Sequence, residues 1–218
     1  NHPAGTPREG YPIEIQALWI RLLRQLNRLQ PEDDWGAMAE LATESLHKYY
    51  WIEGTPWLAD VLIADSTQSA AEAQVDTALR CNSLIAVALG VVDGTHARQT
   101  VGAARDYLAV PGALRTLAPL PVDLPLFIRK NDGGLLNDPE QPYFGRYEGD
   151  EDTERKPAYH NGTAWGWPLP IFCEAMVRAW GNSTESVAAA KGYLLSVEPL
   201  LNEGCLGQLP EILDGDAP

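Results

Sequence analysis

Aromatic and hydrogen-bonding side chains are concentrated between residues 143 and 170. The segment begins YFGRYEGD, which holds Tyr147 and Asp150, and it ends AYHNGTAWGWPLP. Tryptophan and tyrosine rings can lie against the apolar C–H face of a sugar, while Asp, Arg, His and Asn side chains hydrogen-bond its hydroxyl groups. This mixture therefore suits a carbohydrate-binding cleft. The alternative is that Trp165 and Trp167 are packing residues at the start of a helix, since buried tryptophan is common.

Three carboxylates stand in a second segment, GQLPEILDGD, at residues 207–216. An acidic loop near a chain end is usually solvated, although a carboxylate held beside a substrate can transfer protons. Asp214 and Asp216 are short acidic side chains in a turn-rich sequence, so we expect them to order the loop by binding arginine or backbone N–H groups. Glu211 is then the one acid here whose role the local sequence leaves undecided.

Helical periodicity dominates the elements that must position these residues. The first helix is predicted over residues 13–23, where apolar residues recur every three or four positions after Pro12, and we expect it to be largely buried. Further helices are predicted over residues 34–50, 80–90, 95–109, 162–180 and 184–201. The long intervening loop, residues 110–161, is typical of a functional loop. The pattern predicts an all-α array without strong strands, in which loops at one end build a site.

Length and charge limit the class of protein. A chain of 218 residues, 45% of them hydrophobic and seven of them tryptophan, can bury a substantial core as one domain. Both ends read as loop sequence, so we expect residues 1–218 to be part of a single domain that is truncated at both ends. The formal net charge of −14 leaves no basic stripe for phosphate groups, which argues against nucleic acid and anionic membrane surfaces as partners.

Cysteine usage indicates the compartment. Cys81, Cys173 and Cys205 cannot all pair within the chain, and their spacing is not that of metal ligands. We therefore expect free thiols, no metal centre and a reducing environment. The sequence has no apolar run approaching about 18 residues and no signal-peptide pattern, so a cytoplasmic protein is expected.

Six sequence blocks follow one another along the chain: TPREGYPIEIQALW, RCNS, GALRTLAP, GRYEGD, AYHNGTAWGWPL and LPEILDGDAP. In this order they resemble the amylo-1,6-glucosidase portion of glycogen debranching enzymes, especially the bacterial type. Any one block is weak, but together they span nearly the whole chain, with residues 30–76 contributing little. The resemblance implies an (α/α)6 toroid of the glucoamylase-like glycosidase type, here an incomplete part of the barrel, with loops at one rim forming the pocket.

The resemblance also implies a reaction. The family hydrolyses α-1,6-linked glucosyl stubs at glycogen branches, and we expect inversion without a metal or an organic cofactor. Glu211, which follows Leu-Pro, matches the position of the catalytic base that activates water. The family's general acid is an aspartate shortly before the TPREG block, so we expect it upstream of Asn1 and expect these residues alone to be inactive. Asp34, Asp76 and Asp150 are weaker alternatives for the acid.

Substrate-binding roles follow from the same blocks. The residues concerned are His160, Trp165, Trp167, Asn161, Tyr147, Asp150, Arg8, Glu14 and Arg80. Arg8, Glu14 and Arg80 could equally form ion pairs that fix their loops, and Asn161 could instead cap a helix. The partners expected are glycogen or a branched α-glucan oligosaccharide, and the rest of the same catalytic domain.

Three alternatives to this function remain open. A glucoamylase-like exo-glucosidase acting on α-1,4 chains would share the fold and the base. A non-catalytic α-glucan-binding module would keep the aromatic loops without needing Glu211. A helical interaction scaffold would use its tryptophans only as core residues.

Overall fold

The computed structural model describes residues 5–203 and 206–216. Its helices are α1 (Ile13–Leu29), α2 (Trp35–Tyr50), α3 (Ser83–Ala88), α4 (Gly94–Tyr107), α5 (Lys156–Ala158), α6 (Pro168–Ala179) and α7 (Thr184–Leu195). A π-helical turn, Glu151–Arg155, precedes α5, and a 3-10 helix, Pro199–Asn202, follows α7. The predominantly helical architecture expected from the periodicity is confirmed.

Helix α1 carries apolar residues on two faces. One stripe is buried against α2 and α3, as its spacing of three and four residues requires: Ile13, Ala17, Ile20 and Leu23. A second row is exposed: Ile15, Leu18, Trp19 and Leu22. The expectation of a largely buried helix is therefore correct for one face only, because no element of the described residues covers the other.

Helix α6 is the centre of the core. It packs against α3, α4 and α7, and Phe172 within it is fully buried, with its ring 5.0 Å from the Tyr193 ring. The helix begins at Pro168 rather than at residue 162 as predicted. The reason is that Ala164 and Trp165 are paired in a sheet, and proline is favoured at the first helical position, where no N–H partner is needed.

Two small antiparallel sheets accompany the helices, although the sequence shows no strong strand pattern. The first consists of β1 (Gly10–Pro12), β2 (Val61–Ile63) and β3 (Gln74–Asp76), in that order. The second consists of β4 (Ala109–Val110), β5 (Ala113–Arg115), β6 (Ala164–Trp165) and β7 (Ile212–Leu213), also in that order. The second sheet brings three distant parts of the chain side by side.

Several expected absences concern only the described residues. Cys81 and Cys173 are buried and unpaired, whereas Cys205 lies outside the described residues. Across 5–203 and 206–216, no group of three or more His, Cys, Asp or Glu side chains could hold a metal ion. Within those same ranges, no helix combines the length and the apolar character needed to cross a membrane.

Candidate functional site

The second sheet places Glu211 beside the aromatic loop. Strand β7 pairs antiparallel with β6, with Ile212 opposite Trp165 and Leu213 opposite Ala164. Glu211 is the residue immediately before β7, and its side chain is exposed. Main-chain pairing therefore fixes the acidic segment against the Trp165 segment, which are almost fifty residues apart in sequence.

Glycines allow the loops around this sheet to approach closely. Gly162 has a φ of 150°, and a Cβ there would collide with the carbonyl of Phe144. A Cβ on Gly215 would collide with the carbonyl of Gly162, and the Gly215 N–H donates to the Gly145 carbonyl at 2.6 Å. Gly145, Gly162 and Gly215 each lie in a different sequence block, so three blocks meet here. Glycine is needed at Gly162 and Gly215 because a larger residue would collide with the neighbouring backbone.

The two aspartates after Glu211 order their loop. Asp214 Oδ1 accepts a hydrogen bond from the Tyr147 backbone N–H at 2.8 Å. Asp216 Oδ1 accepts one from the Tyr143 hydroxyl at 2.7 Å. Both aspartates therefore hold the loop in place, Asp214 through a backbone N–H as expected and Asp216 through a tyrosine hydroxyl instead.

Four rings form an aromatic cluster around Tyr159. The ring centroids of Tyr147, His160 and Trp165 lie 5.6, 4.4 and 5.1 Å from that of Tyr159. His160 also stacks on Trp165 at 5.4 Å with an interplanar angle of 23°. Trp165 is buried, and its Nε1 donates to the Tyr159 carbonyl and to Thr163 Oγ1, both at 3.2 Å. Trp165 is therefore a packing residue as well as one wall of the site.

Besides desolvation, the charge of Glu211 affects the pKa of Tyr159 at the centre of this aromatic cluster. Desolvation raises the pKa of Tyr159, and the nearby Glu211 carboxylate adds to the shift. His160 is exposed, yet partial desolvation of its ring lowers its pKa, and the Arg80 guanidinium lowers it further. A histidine with a lowered pKa is neutral at pH 7, so it can both donate and accept hydrogen bonds.

A cavity of about 220 Å³ lies in front of the cluster. It is lined by Thr6, Arg8, Arg80, Cys81, Asn82, Thr116, His160, Trp165 and Trp167. Trp167 is 54% exposed, whereas Trp165 is 7% exposed, so only Trp167 presents a largely free indole. The cavity combines aromatic faces with polar groups, and Glu211 stands beside its Trp165 wall rather than among its lining residues.

Arg8 lines the cavity and is also held by two acids. Its Nε donates to Asp60 Oδ2 and its Nη2 to Glu14 Oε2, each at 2.8 Å, and its Nη1 also pairs with Glu14. Arg8 therefore lines the cavity and is also fixed by ion pairs, and the Glu14 carboxylate is turned towards Arg8. Burial raises the pKa of Asp60, and the charges of Arg8 and Arg80 oppose that shift.

Arg80 is 6% exposed and braces the His160 loop from inside. Its Nη1 donates to the His160 carbonyl at 2.6 Å and its Nη2 to Asn161 Oδ1 at 2.9 Å. The Arg80 side chain also lines the cavity, as His160 does. Arg80 therefore fixes the backbone of a loop whose histidine ring faces the same cavity.

Asn161 is fully buried and committed to internal contacts. Its Oδ1 accepts from Thr6 Oγ1 at 3.2 Å as well as from Arg80, and its Nδ2 donates to the carbonyls of Pro157 at 3.0 Å and Gly5 at 3.3 Å. Helix α6 begins only at Pro168, so Asn161 does not cap it. The structure gives Asn161 a positioning role, not a place in the cavity lining.

Replacing Asn161 with alanine should lower the free energy of unfolding by about 1–3 kcal/mol for each buried group left without a partner. Urea denaturation of the wild type and the variant measures this loss. The exposed Asn131 offers a matched control, because Asn131→Ala removes only a surface contact at 3.5 Å. Equal unfolding midpoints for Asn161→Ala and the wild type would contradict the positioning role.

The remaining candidates lie outside the cavity lining. Asp150 is exposed and caps the π-helical turn, where hydrogen bonds from Thr153 lower its pKa. Tyr147 is half-buried within the aromatic cluster. Asp34 precedes α2, and the Asp76 carboxylate accepts from a backbone N–H at 2.9 Å. Within the described residues, none of the three aspartates weighed as the acid lines the cavity.

Comparison with known proteins identifies the family. A family model described as amylo-alpha-1,6-glucosidase matches residues 1–125 and 134–218. The chain belongs to the amylo-alpha-1,6-glucosidase family. A search of curated proteins finds no significant match. The family expected from the six sequence blocks is therefore confirmed.

Solved structures show the fold of this amylo-alpha-1,6-glucosidase family member. Neutral trehalase Nth1 from Saccharomyces cerevisiae matches with a TM-score of 0.56 and 15% identity, over 93% of this chain and 34% of the trehalase chain. The chain thus spans about a third of that structure. The likeness shows a glucoamylase-like (α/α)6 fold, as expected.

Two residues of the site were missed by the sequence interpretation. Tyr159, the centre of the aromatic cluster, stands in the AYHNGTAWGWPL block but was not singled out. Asp60 lies in the stretch 30–76, which showed little resemblance to the amylo-alpha-1,6-glucosidase family. A signal for Asp60 was present, since a single acid inside the otherwise apolar run WLADVLI indicates a buried, paired charge.

Proposed function

We propose that this chain is part of an inverting glycosidase that hydrolyses α-1,6-glucosidic branch linkages in glycogen or related α-glucans, with Glu211 as the general base. Family membership indicates a glycosidase acting on α-glucans. The observation that carries the assignment of the base is the pairing of β6 with β7, since it holds Glu211 beside Trp165 and the cavity.

An inverting mechanism needs two carboxyl groups roughly 6.5–9.5 Å apart, with a water molecule between one of them and the anomeric carbon. Glu211 is exposed, so water can reach its carboxylate, and deprotonating that water is the base's task. The second carboxyl donates a proton to the leaving glycosidic oxygen. We assign this acid to a part of the catalytic domain outside the described residues, because the three aspartates weighed for it lie elsewhere.

The cavity supports a neutral sugar as the ligand. Arg8 and Arg80 bring two positive charges, and the adjacent Asp60 and Glu14 offset them. Trp167 offers a free indole for the C–H face of a glucosyl ring, and neutral His160 offers hydrogen bonds to hydroxyl groups. Residues 1–218 would then belong to one catalytic domain, and the buried thiols Cys81 and Cys173 favour a reducing, cytoplasmic location.

A substrate panel tests this function in the complete enzyme. A maltooligosaccharide that carries one α-1,6-linked glucosyl residue should be hydrolysed with a kcat/KM about tenfold or more above that for the linear α-1,4 oligosaccharide or for trehalose. Proton NMR at early times should show β-glucose as the first product, because inversion of an α-linkage gives the β-anomer.

Each contrary result selects a different conclusion. Preference for the linear oligosaccharide would favour a glucoamylase-like exo-glucosidase, and preference for trehalose would favour an activity like that named for the structural neighbour. Glucan binding without any hydrolysis would favour a non-catalytic binding module. If no saccharide changes the tryptophan fluorescence, the interaction-scaffold alternative is favoured.

A further inference from the structure

Asp60 is a buried carboxyl group behind the cavity. It is 1% exposed, and its main chain is fixed on both sides. The Asp60 N–H donates to the Asp76 carbonyl at 2.9 Å, and the Asp60 carbonyl accepts from the Ile13 N–H at 3.1 Å. The start of α1 and the end of β3 therefore hold this residue in place, directly before β2.

The carboxylate of Asp60 contacts three residues that line the cavity. Its Oδ2 accepts from Arg8 Nε at 2.8 Å and lies 3.9 Å from Arg80 Nε. Its Oδ1 accepts from Asn82 Nδ2 at 2.9 Å. Asp60 itself is not among the lining residues, so it acts on the cavity only through these three side chains.

These contacts determine which donors remain for a ligand. A guanidinium has five N–H groups, and those of Arg8 are engaged by Asp60 Oδ2, by the Asp60 carbonyl and by both oxygens of Glu14. One N–H of Arg8 is left over. Its direction depends on Asp60, because Asp60 holds the guanidinium at Nε and at Nη2.

We propose that Asp60 is a positioning residue for glucan binding: it orients Arg8, Arg80 and Asn82 so that their remaining donors meet sugar hydroxyl groups. This inference rests on the proposed function of the cavity. Asp60 also balances the arginine charges, so its loss would leave a net positive cavity that a neutral sugar fits less well. The role is distinct from that proposed for Glu211, which precedes the strand paired with the Trp165 segment.

The test compares Asp60→Asn, Asp60→Glu and Asn82→Ala in the complete enzyme, with Asp106→Asn as the control. Asp106 is paired with an arginine as well, but both partners are exposed at 53%, so its loss should change nothing. The probe is the maltooligosaccharide that carries one α-1,6-linked glucosyl residue. Its Kd is measured by tryptophan fluorescence, and KM and kcat are measured separately, alongside urea denaturation.

Asp60→Asn should raise Kd and KM by about 10- to 100-fold, as expected for lost charge-assisted hydrogen bonds, while kcat changes by less than about threefold. Asp60→Glu should recover part of the affinity, because it restores the charge one methylene out of place. Asn82→Ala keeps both arginine contacts, so it should fold even if Asp60→Asn does not, and it should raise Kd by a smaller factor.

Unchanged Kd and KM in Asn82→Ala and in the folded Asp60 variants would overturn the inference, even if their stability fell. A loss confined to kcat would also overturn it. Failure of the wild type to bind the oligosaccharide would instead overturn the proposed function, and the inference with it. The two failures are therefore distinguishable from the wild-type measurement alone.

Discussion

Replacing Glu211 with glutamine in the complete enzyme should lower kcat by about 10²–10⁴-fold and leave the Kd for the branched oligosaccharide within about threefold. Glutamine has the shape of glutamate, but its amide does not take a proton from water. Strand β7 pairs through its backbone, so the substitution leaves the β6–β7 contact intact. Single-turnover hydrolysis and saccharide-induced tryptophan fluorescence measure the two quantities separately.

Glu40→Gln is the matched control for this variant. Glu40 is an exposed glutamate on α2, and it is not among the residues that line the cavity, so kcat should stay at the wild-type value. If Glu211→Gln keeps more than about a tenth of the wild-type kcat, Glu211 is not the general base. A proportional loss of kcat and of binding would indicate a structural role for the loop.

A nucleophile that needs no deprotonation separates base loss from other defects. Azide is such a nucleophile, and Glu211→Ala leaves room for it where the carboxylate stood. Azide should restore turnover of Glu211→Ala and yield the β-glucosyl azide, whose configuration is inverted relative to the α-linked substrate. Turnover that azide does not restore would show that the defect is not the missing proton acceptor.

The helices could be predicted from sequence because their signal is periodic. Helix α1 was expected at residues 13–23 and occurs at Ile13–Leu29, with the predicted start at the residue after Pro12. Its second apolar row is exposed, although the expectation was a largely buried helix. Periodicity reveals that a face is apolar, but whether that face is covered depends on elements that the pattern does not name.

The two sheets and the contacts between the site residues could not be predicted in the same way. Strands of two or three residues are too short to show alternation, and the contact of Trp165 with Ile212 joins positions far apart in sequence. The family resemblance supplied the candidate site residues, but it did not show which of them face the cavity and which are buried in internal contacts. Geometry shows that Asn161 faces inward whereas Trp167 faces the cavity, although both stand in one sequence block.

Trp165 and Trp167 should respond to alanine substitution in opposite ways. Trp165→Ala should lower the free energy of unfolding by about 3–5 kcal/mol, because it removes a buried ring from the core. Trp167→Ala should change that free energy by less than about 0.5 kcal/mol, since its side chain is largely exposed. Urea denaturation of the two variants gives both values.

Trp167 should matter for sugar binding although it contributes little to stability. Its indole is the free aromatic face in the cavity, so Trp167→Ala should raise the Kd for the branched oligosaccharide by about tenfold while the protein stays as stable as the wild type. Trp167→Phe keeps an aromatic face and should recover most of the affinity. Unchanged Kd in Trp167→Ala would remove this indole from the sugar site.

Trp165→Phe separates the contribution of the buried ring from that of the Nε1 hydrogen bonds. Phenylalanine keeps a ring against His160 and Tyr159 but removes the Nε1 donor, so the Tyr159 carbonyl and Thr163 Oγ1 each lose a partner. The loss should be about 1–3 kcal/mol, between the wild type and Trp165→Ala. If Trp165→Phe is as unstable as Trp165→Ala, the hydrogen bonds rather than the ring hold β6 in place. In that case the indole N–H positions Glu211, because β7 pairs only with β6 among the described strands.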